Sequence, residues 1–337
     1  MREPQSLRRA TLIIVESDPR TAESLVRIMA TASGFEHTVC VPSADKVPEH
    51  AGAGRCVVVC DAASLLQLAS KCSGELRHVY WMVSSLTNER ELFTLAAKVP
   101  RLISVIGMSQ RQAFPRLWEL ALPIRRVVVG DNAPLPVREY MQCHGTGCEW
   151  LPRSTADLHA TLEDLENRID QLCVQKRTTR RIVGVAHELL MNALYDAPVD
   201  DQGRHLYAHD RTRPVSVDAR DSPRFVLATD GLTLVLQVSD RFGGLRRNHV
   251  YASIGRGLRS RDADATREEL VNTGTGGAGV GIHRIVFQAN ATVFDVIPER
   301  ATVVTALFEL DQPNREARTS PRSLHVFSPG GELQDAG

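Results

Sequence analysis

Short apolar runs alternate with helix-period segments along the first third of the chain. TLIIVE (Thr11 to Glu16) reads as a strand, and in residues 19–32 Leu25, Ile28 and Met29 fall on one helical face. A strand near 36–41 follows, then the buried run CVVVCD (Cys56 to Asp61) and a helix over 62–71. VYWMVSS (79–85), a helix over 88–98, LISVIG (102–107) and a helix over 111–121 complete the series. Strands alternating with helices predict an α/β domain over 1–122, a doubly wound parallel sheet covered on both faces.

The pattern weakens between 123 and 154, where prolines 123, 134, 136 and 152 punctuate it, and this stretch reads as a linker. Leucines 158, 162, 165 and 172 with Ile169 then give near-heptad spacing. Such a helix serves either a homodimer or the core of its own domain, and fewer than three heptads favour the second. HELLMNALYDA (His187 to Ala197) is strongly helical in period. RFVLATDGLTLVLQV, with Asp230-Gly231 at its tip, predicts a hairpin, and ATVFDVI and ATVVTALFEL predict another. Helices followed by antiparallel hairpins make an α+β two-layer sandwich over 155–312. The Pro-, Ser-, Gly- and Arg-rich tail, 313–337, is expected to be disordered.

Composition narrows the picture. At 337 residues with 43% hydrophobic, the chain can bury two modest cores. Lys plus Arg and Asp plus Glu are 40 each, so charge gives no argument for a nucleic-acid partner. No apolar stretch approaches twenty residues, so no membrane span is expected. Seven scattered cysteines lack framework spacing and suggest reduced thiols in a cytoplasmic protein. CHGTGC (143–148) lacks the second ligand pair of a zinc site and reads as a loop.

Three segments carry candidate chemistry. Glu188 and Asn192 lie four apart on one helical face. Asn192 offers a hard oxygen to a magnesium ion that is also bound by phosphates, and Glu188 can orient or deprotonate an attacking group. Asp240 ends the strand LVLQVSD, where a carboxylate can accept from an adenine amino group, and Gly243 and Gly244 let the backbone pass close to the base. GTGGAGVGI, with Gly277, Gly279 and Gly281, opens the helix HRIVFQA and presents bare N–H groups to phosphate.

In this order, the segments resemble the GHKL ATPase superfamily of histidine kinases, anti-sigma-factor kinases, gyrase and large heat-shock chaperones. HELLMNALYDA resembles the N-box, SDRFGG the adenine box and GGAGVGI the following glycine box. The resemblance implies Mg-ATP as cofactor, with Asn192 holding the metal. Thr302 would support the Asp240–adenine pair, and 245–273 would form a lid carrying Arg246, Arg247, Arg256, Arg259, Arg261 and Arg267. Phe242 stands where the adenine box carries its first glycine. The phosphoacceptor box that histidine kinases carry is missing ahead of the N-box, where His159 is the one helical histidine. The resemblance therefore leans toward anti-sigma-factor serine kinases over histidine kinases, with an antagonist-like protein or a response regulator as partner. Autophosphorylation, weak ATP hydrolysis and nucleotide-gated binding without transfer stay open. The first domain resembles a response-regulator receiver. Asp61 stands at the phosphoacceptor position, but Ser17 replaces one acid and the fifth strand lacks the lysine, which implies a degenerate receiver used for interaction.

Overall fold

The computed structural model describes residues 10–34, 37–48, 56–71, 79–85, 93–94, 99, 101–108, 115–129, 133–143, 145–259, 281–311 and 320–327. Contacts divide the chain into two units, Met1–Ala133 and Pro134–Gly337. In the first unit, β1 (Thr11–Val15), β2 (His37–Val41), β3 (Cys56–Cys60), β4 (Val79–Ser85) and β5 (Leu102–Gly107) pair in the order 2-1-3-4-5, each pair parallel. That is a doubly wound α/β order. β3 and β5 are buried throughout, as strands covered on both faces must be.

Helix α1 (Pro19–Ser33) begins where Asp18 accepts from the Thr21 N–H and Pro19 occupies the first turn. It ends at Gly34, whose φ of 73° is the left-handed geometry of a helix C-terminus. Helix α2 (Ala62–Lys71) is capped the same way, Asp61 accepting from the Ser64 N–H at 2.7 Å. Helix α3 (Leu117–Ile124) runs on through a π-helical turn at Arg125–Val129. The expected linker start at 123 is thus corrected. The RRVVV run continues a helix packed against α1, and Val127 and Val128 are buried. Of the helix expected over 88–98, all but residues 93–94 lies outside the described residues.

The second unit holds one mixed sheet in the order β11-β9-β10-β8-β7-β6. Its strands are β6 (Thr146–Trp150), β7 (Arg224–Thr229), β8 (Thr233–Asp240), β9 (Ala291–Ile297), β10 (Ala301–Glu309) and β11 (Ser323–Phe327). All neighbours are antiparallel except β11 and β9. Helices α4 (Thr155–Asp170), α5 (Lys176–Met191), α6 (Arg247–Arg259) and α7 (Gly281–Gln288) accompany it.

The α5 face Ile182, Val185, Ala186, Leu189 and Leu190 meets Leu234, Leu236 and Val238 of β8 and Ala306 and Phe308 of β10. A 3.6-residue period on one side and a two-residue period on the other make this the core. The near-heptad face of α4 is spent within the same core, where Leu158, Leu165 and Ile169 are buried and Leu162 and Leu172 pack against it.

Two further expectations are corrected. Thr146–Trp150, read as linker, is an edge strand on β7, held by Trp150 stacking on Phe225 at 5.4 Å and donating from its indole N–H to Asp164. Ser323–Phe327, read as tail, is a buried strand parallel to β9. Ser323 and His325 interrupt its apolar residues, so no run stands out from the polar surroundings, and β9 supplies the edge it pairs with. Residues 313–319 and 328–337 lie outside the described residues. If β11 belongs to the sheet as built, Leu324→Ala destabilises the protein by about 2–5 kcal/mol. Unchanged urea denaturation would show the strand to be dispensable.

Candidate functional site

Three parts of the second unit converge at one end of its two layers. α7 runs away from Gly281, and only Ala289 and Asn290 separate it from β9, which runs back to Ile297. The start of α7 and the end of β9 therefore share an end. β8 finishes there too, since Asp240 lies opposite Thr302, which in turn pairs with Val296. The end of α5 joins them through a close approach. A Cβ on Gly281 would stand 2.8 Å from Glu188 Oε2 and 3.6 Å from Asn192 Oδ1. The absent side chain is what lets the first turn of α7 pass over both.

Asn192 begins a π-helical turn, Asn192–Asp196, closed by the Ala197 N–H donating to the Asn192 carbonyl at 2.8 Å. The widened turn buries Ala193, Leu194 and Tyr195 while Asn192 and Asp196 stay half-buried on the same side. Asn192 Oδ1 accepts from Arg211 at 3.5 Å, a long contact, and Arg211 also ion-pairs with Asp196. Burial pushes the Asp196 carboxyl up from its ordinary value, against the pull of Arg211.

Glu188 Oε1 accepts from Arg284 Nη1 at 2.9 Å. The Arg284 side chain is 49% exposed, so the pair is worth at most about 1 kcal/mol and is readily exchanged. On its other side Arg284 lines, with His187, Arg180, Val183 and Leu162, a cleft of ≈ 300 Å³. Burial holds the His187 imidazole below its ordinary pKa. His159 lies exposed on α4.

Asp240 is only partly covered as a residue, yet its carboxyl lies among protein groups. Burial pushes its pKa up to about 6, opposed by hydrogen bonds from the Phe242 and Gly243 N–H groups and from the backbone and hydroxyl of Thr302. Phe242 donates at 2.8 Å and Gly243 at 3.4 Å, both to Oδ1. Phe242 follows the strand as part of this turn and is half-buried. Gly243 has φ 62°, and a Cβ there would stand 2.1 Å from the Ile297 carbonyl. It is required where the turn crosses the β9–β10 connection. Gly244 faces open space, so the two glycines differ in role.

Gly277 and Gly279 lie outside the described residues, as do Arg261 and Arg267. The described part of the expected lid is largely the helix α6, which buries Val250, Tyr251 and Ile254 and packs on α7. Arg247 stacks over Tyr251, and Arg246 and Arg259 are exposed. In the first unit, Asp61 is exposed with Oδ1 engaged as the α2 cap.

Sequence reasoning did not single out Asp196, Arg211 or Arg284 as members of this site. Asp196 was legible, four residues after Asn192. Arg284 follows Gly281 by three residues, but its pairing with Glu188 spans 96 residues of chain. Arg211 sits in a polar loop with no periodic signal.

No protein-family model matches the chain, and no curated protein matches it. Among solved structures, the crystal structure of the SiaB-SiaC complex from Pseudomonas aeruginosa is similar at 12% identity, over 48% of this chain and 88% of that chain, with a TM-score of 0.29. A likeness at that TM-score carries no argument about function. Among the described residues, no helix is long and apolar enough to cross a membrane.

The Asp240 carboxyl has a definite consequence for stability. A carboxyl whose folded pKa is raised binds its proton more tightly in the folded state. Its contribution is fully present below the ordinary value of 3.8 and is lost as pH rises through about 6. Asp240→Asn should therefore stabilise the protein at pH 7.5 by about 1–3 kcal/mol, with the gain vanishing near pH 4. Parallel urea-stability profiles for wild type and variant across that range would contradict this.

Proposed function

We propose that the second unit is a GHKL-type module that binds Mg-ATP at the end where α5, α7 and β8 converge. The observation that carries this reading is the meeting of Gly281 with Glu188 and Asn192, at the same end of the layers as the Asp240–Thr302 pair. The donor set suits such a ligand. Asn192 offers a neutral oxygen to magnesium. The first turn of α7 has N–H groups that the helix itself leaves unbonded. Asp240 offers an acceptor to the base at the strand end, beside a turn kept narrow by Gly243. Gly277 and Gly279 belong to the same proposal. ATP would supply a transferable phosphoryl group. Glu188 would then orient the hydroxyl of a partner's serine, making the protein a cytoplasmic signalling kinase of the anti-sigma-factor type.

One observation favours a second reading. Glu188 is paired with Arg284, so its carboxylate meets a hydroxyl only when that pair opens. In that reading the nucleotide sets partner affinity without transfer. The first unit fits a receiver-like interaction module in either case, because Asp61 is engaged as a helix cap.

Asn192→Ala should abolish magnesium-dependent ATP binding in calorimetry while leaving thermal unfolding intact; unchanged affinity would sink the assignment. Incubation with labelled ATP separates the readings. Label on a partner's serine supports the kinase, acid-labile label on the protein itself points to a histidine acceptor, and binding without label supports the gated module. In the first unit, acetyl phosphate should leave the wild-type mass unchanged. A phosphate adduct that Asp61→Asn removes would overturn the degenerate-receiver reading.

A further inference from the structure

The chain between α5 and β7 doubles back to the turn that holds Asn192, and it arrives there under tight constraint. Tyr195, fully buried in that turn, donates from its hydroxyl to the Arg213 carbonyl at 3.0 Å. The same hydroxyl meets the Thr155 hydroxyl at 2.9 Å, and Thr155 Oγ1 accepts from the Val215 N–H at 2.9 Å. Asp210 accepts from the backbone and hydroxyl of Thr212. The backbone after Arg211 is thereby anchored to the core at Arg213 and Val215, and the local turn from Asp210 to Thr212 shapes it at Arg211 itself. The guanidinium is delivered to one place: Nε donates to Asp196 Oδ1 at 3.1 Å, and Nη2 contacts Asp196 Oδ2 and reaches Asn192 Oδ1 at 3.5 Å.

Neutralising Asp196 explains the first part of this arrangement. It does not explain why the fork extends to a carboxamide oxygen that the nucleotide reading gives to magnesium. A cation on Asn192 Oδ1 and a guanidinium donating to the same oxygen repel one another. With a metal on that oxygen, Nη2 would gain from another acceptor, and phosphate oxygens would be the ones beside it. An arginine fork is suited to this, because Nε can keep Asp196 while the outer nitrogens bind phosphate.

We propose that Arg211 is a phosphate-binding residue of the nucleotide site, held in readiness by Asp196 and by the Tyr195-anchored loop. This rests on the Mg-ATP reading above. No motif of the sequence assigns it.

The test compares ATP, ADP and adenosine, each with magnesium, by displacement of a fluorescent ATP analogue from the full chain. Arg211→Met should weaken ATP and ADP by about tenfold to a hundredfold and leave adenosine within about twofold. Equal weakening of all three would mean that Arg211 only supports the fold, and unchanged affinities would also overturn the proposal. Because Arg211→Met leaves Asp196 uncompensated, the double variant Asp196→Asn with Arg211→Met is measured alongside. It should unfold near the wild-type temperature and still lose phosphate-dependent affinity, whereas recovered ATP binding would reject the role. A wild-type chain that binds no nucleotide fails the Mg-ATP reading itself and this proposal with it. Loss confined to the variants' selectivity profile tests Arg211 alone.

Discussion

The site depends on burying Tyr195 at a helix end that must also keep Asn192 near the surface. An ordinary α-turn places residues three and four apart on one face. α5 has spent that face on the core by Leu190. Widening the next turn, with the Ala197 N–H reaching back five residues, takes Leu194 and Tyr195 inward and leaves Asn192 and Asp196 at the rim. A fully buried phenol needs partners for its hydroxyl. Thr155 and the Arg213 carbonyl supply them, so one packing requirement joins α4, the end of α5 and the loop carrying Arg211. Glycine completes the arrangement from the other side, since any side chain at 281 would occupy the space against Glu188.

The acids around this end are held in different ways. Glu188 has a shallow, exchangeable partner in Arg284. Asp196 is half-buried and tied to Arg211. Asp240 has hydrogen bonds but burial enough to push its pKa to about 6, so near neutrality it is a carboxylate with little electrostatic support. A group in that condition gains from any donor that reaches it. Carboxyls placed in contrasting environments can serve contrasting roles within one site.

Much of this was legible in the sequence because period and burial are coupled. The apolar face of α5 and the alternation of β8 fixed which residues lie in the core. Glu188, Asn192 and Asp240 were then left at the rim or the strand end, whereas Thr302 came from the family resemblance alone, and the structure pairs it with Asp240. What period could not reveal was contact between distant segments. β6 (TGCEW) and β11 (SLHVF) mix polar residues among few apolar ones, so neither shows the continuous apolar run that marked the equally short β1 and β3, and each pairs with a neighbouring edge. Arg211 is placed by a phenol sixteen residues before it, through hydrogen bonds that leave no trace in hydropathy. The run at 127–129 reads as linker because prolines 123 and 134 flank it, yet continuity with α3 and packing on α1 keep it helical.

The first unit uses its acids in another manner. Asp18 and Asp61, at the ends of β1 and β3, each turn a carboxylate oxygen onto the backbone of the following helix. Glu16 turns back on the Asp18 N–H. A cap satisfies helix donors and contributes about 1 kcal/mol to the fold, but it fixes the oxygen beside its own helix. A cation site of the receiver kind needs such oxygens to converge on one point, with a positive side chain to balance a phosphorylated acid. Here serine stands at position 17, and the fifth strand ends at Gly107, followed by Met108. Those local bonds stabilise the starts of α1 and α2. In the second unit, the acids of the α5 end and of β8 are held by arginine forks and by strand-end N–H groups. Such partners can be shared with a ligand without unwinding a helix.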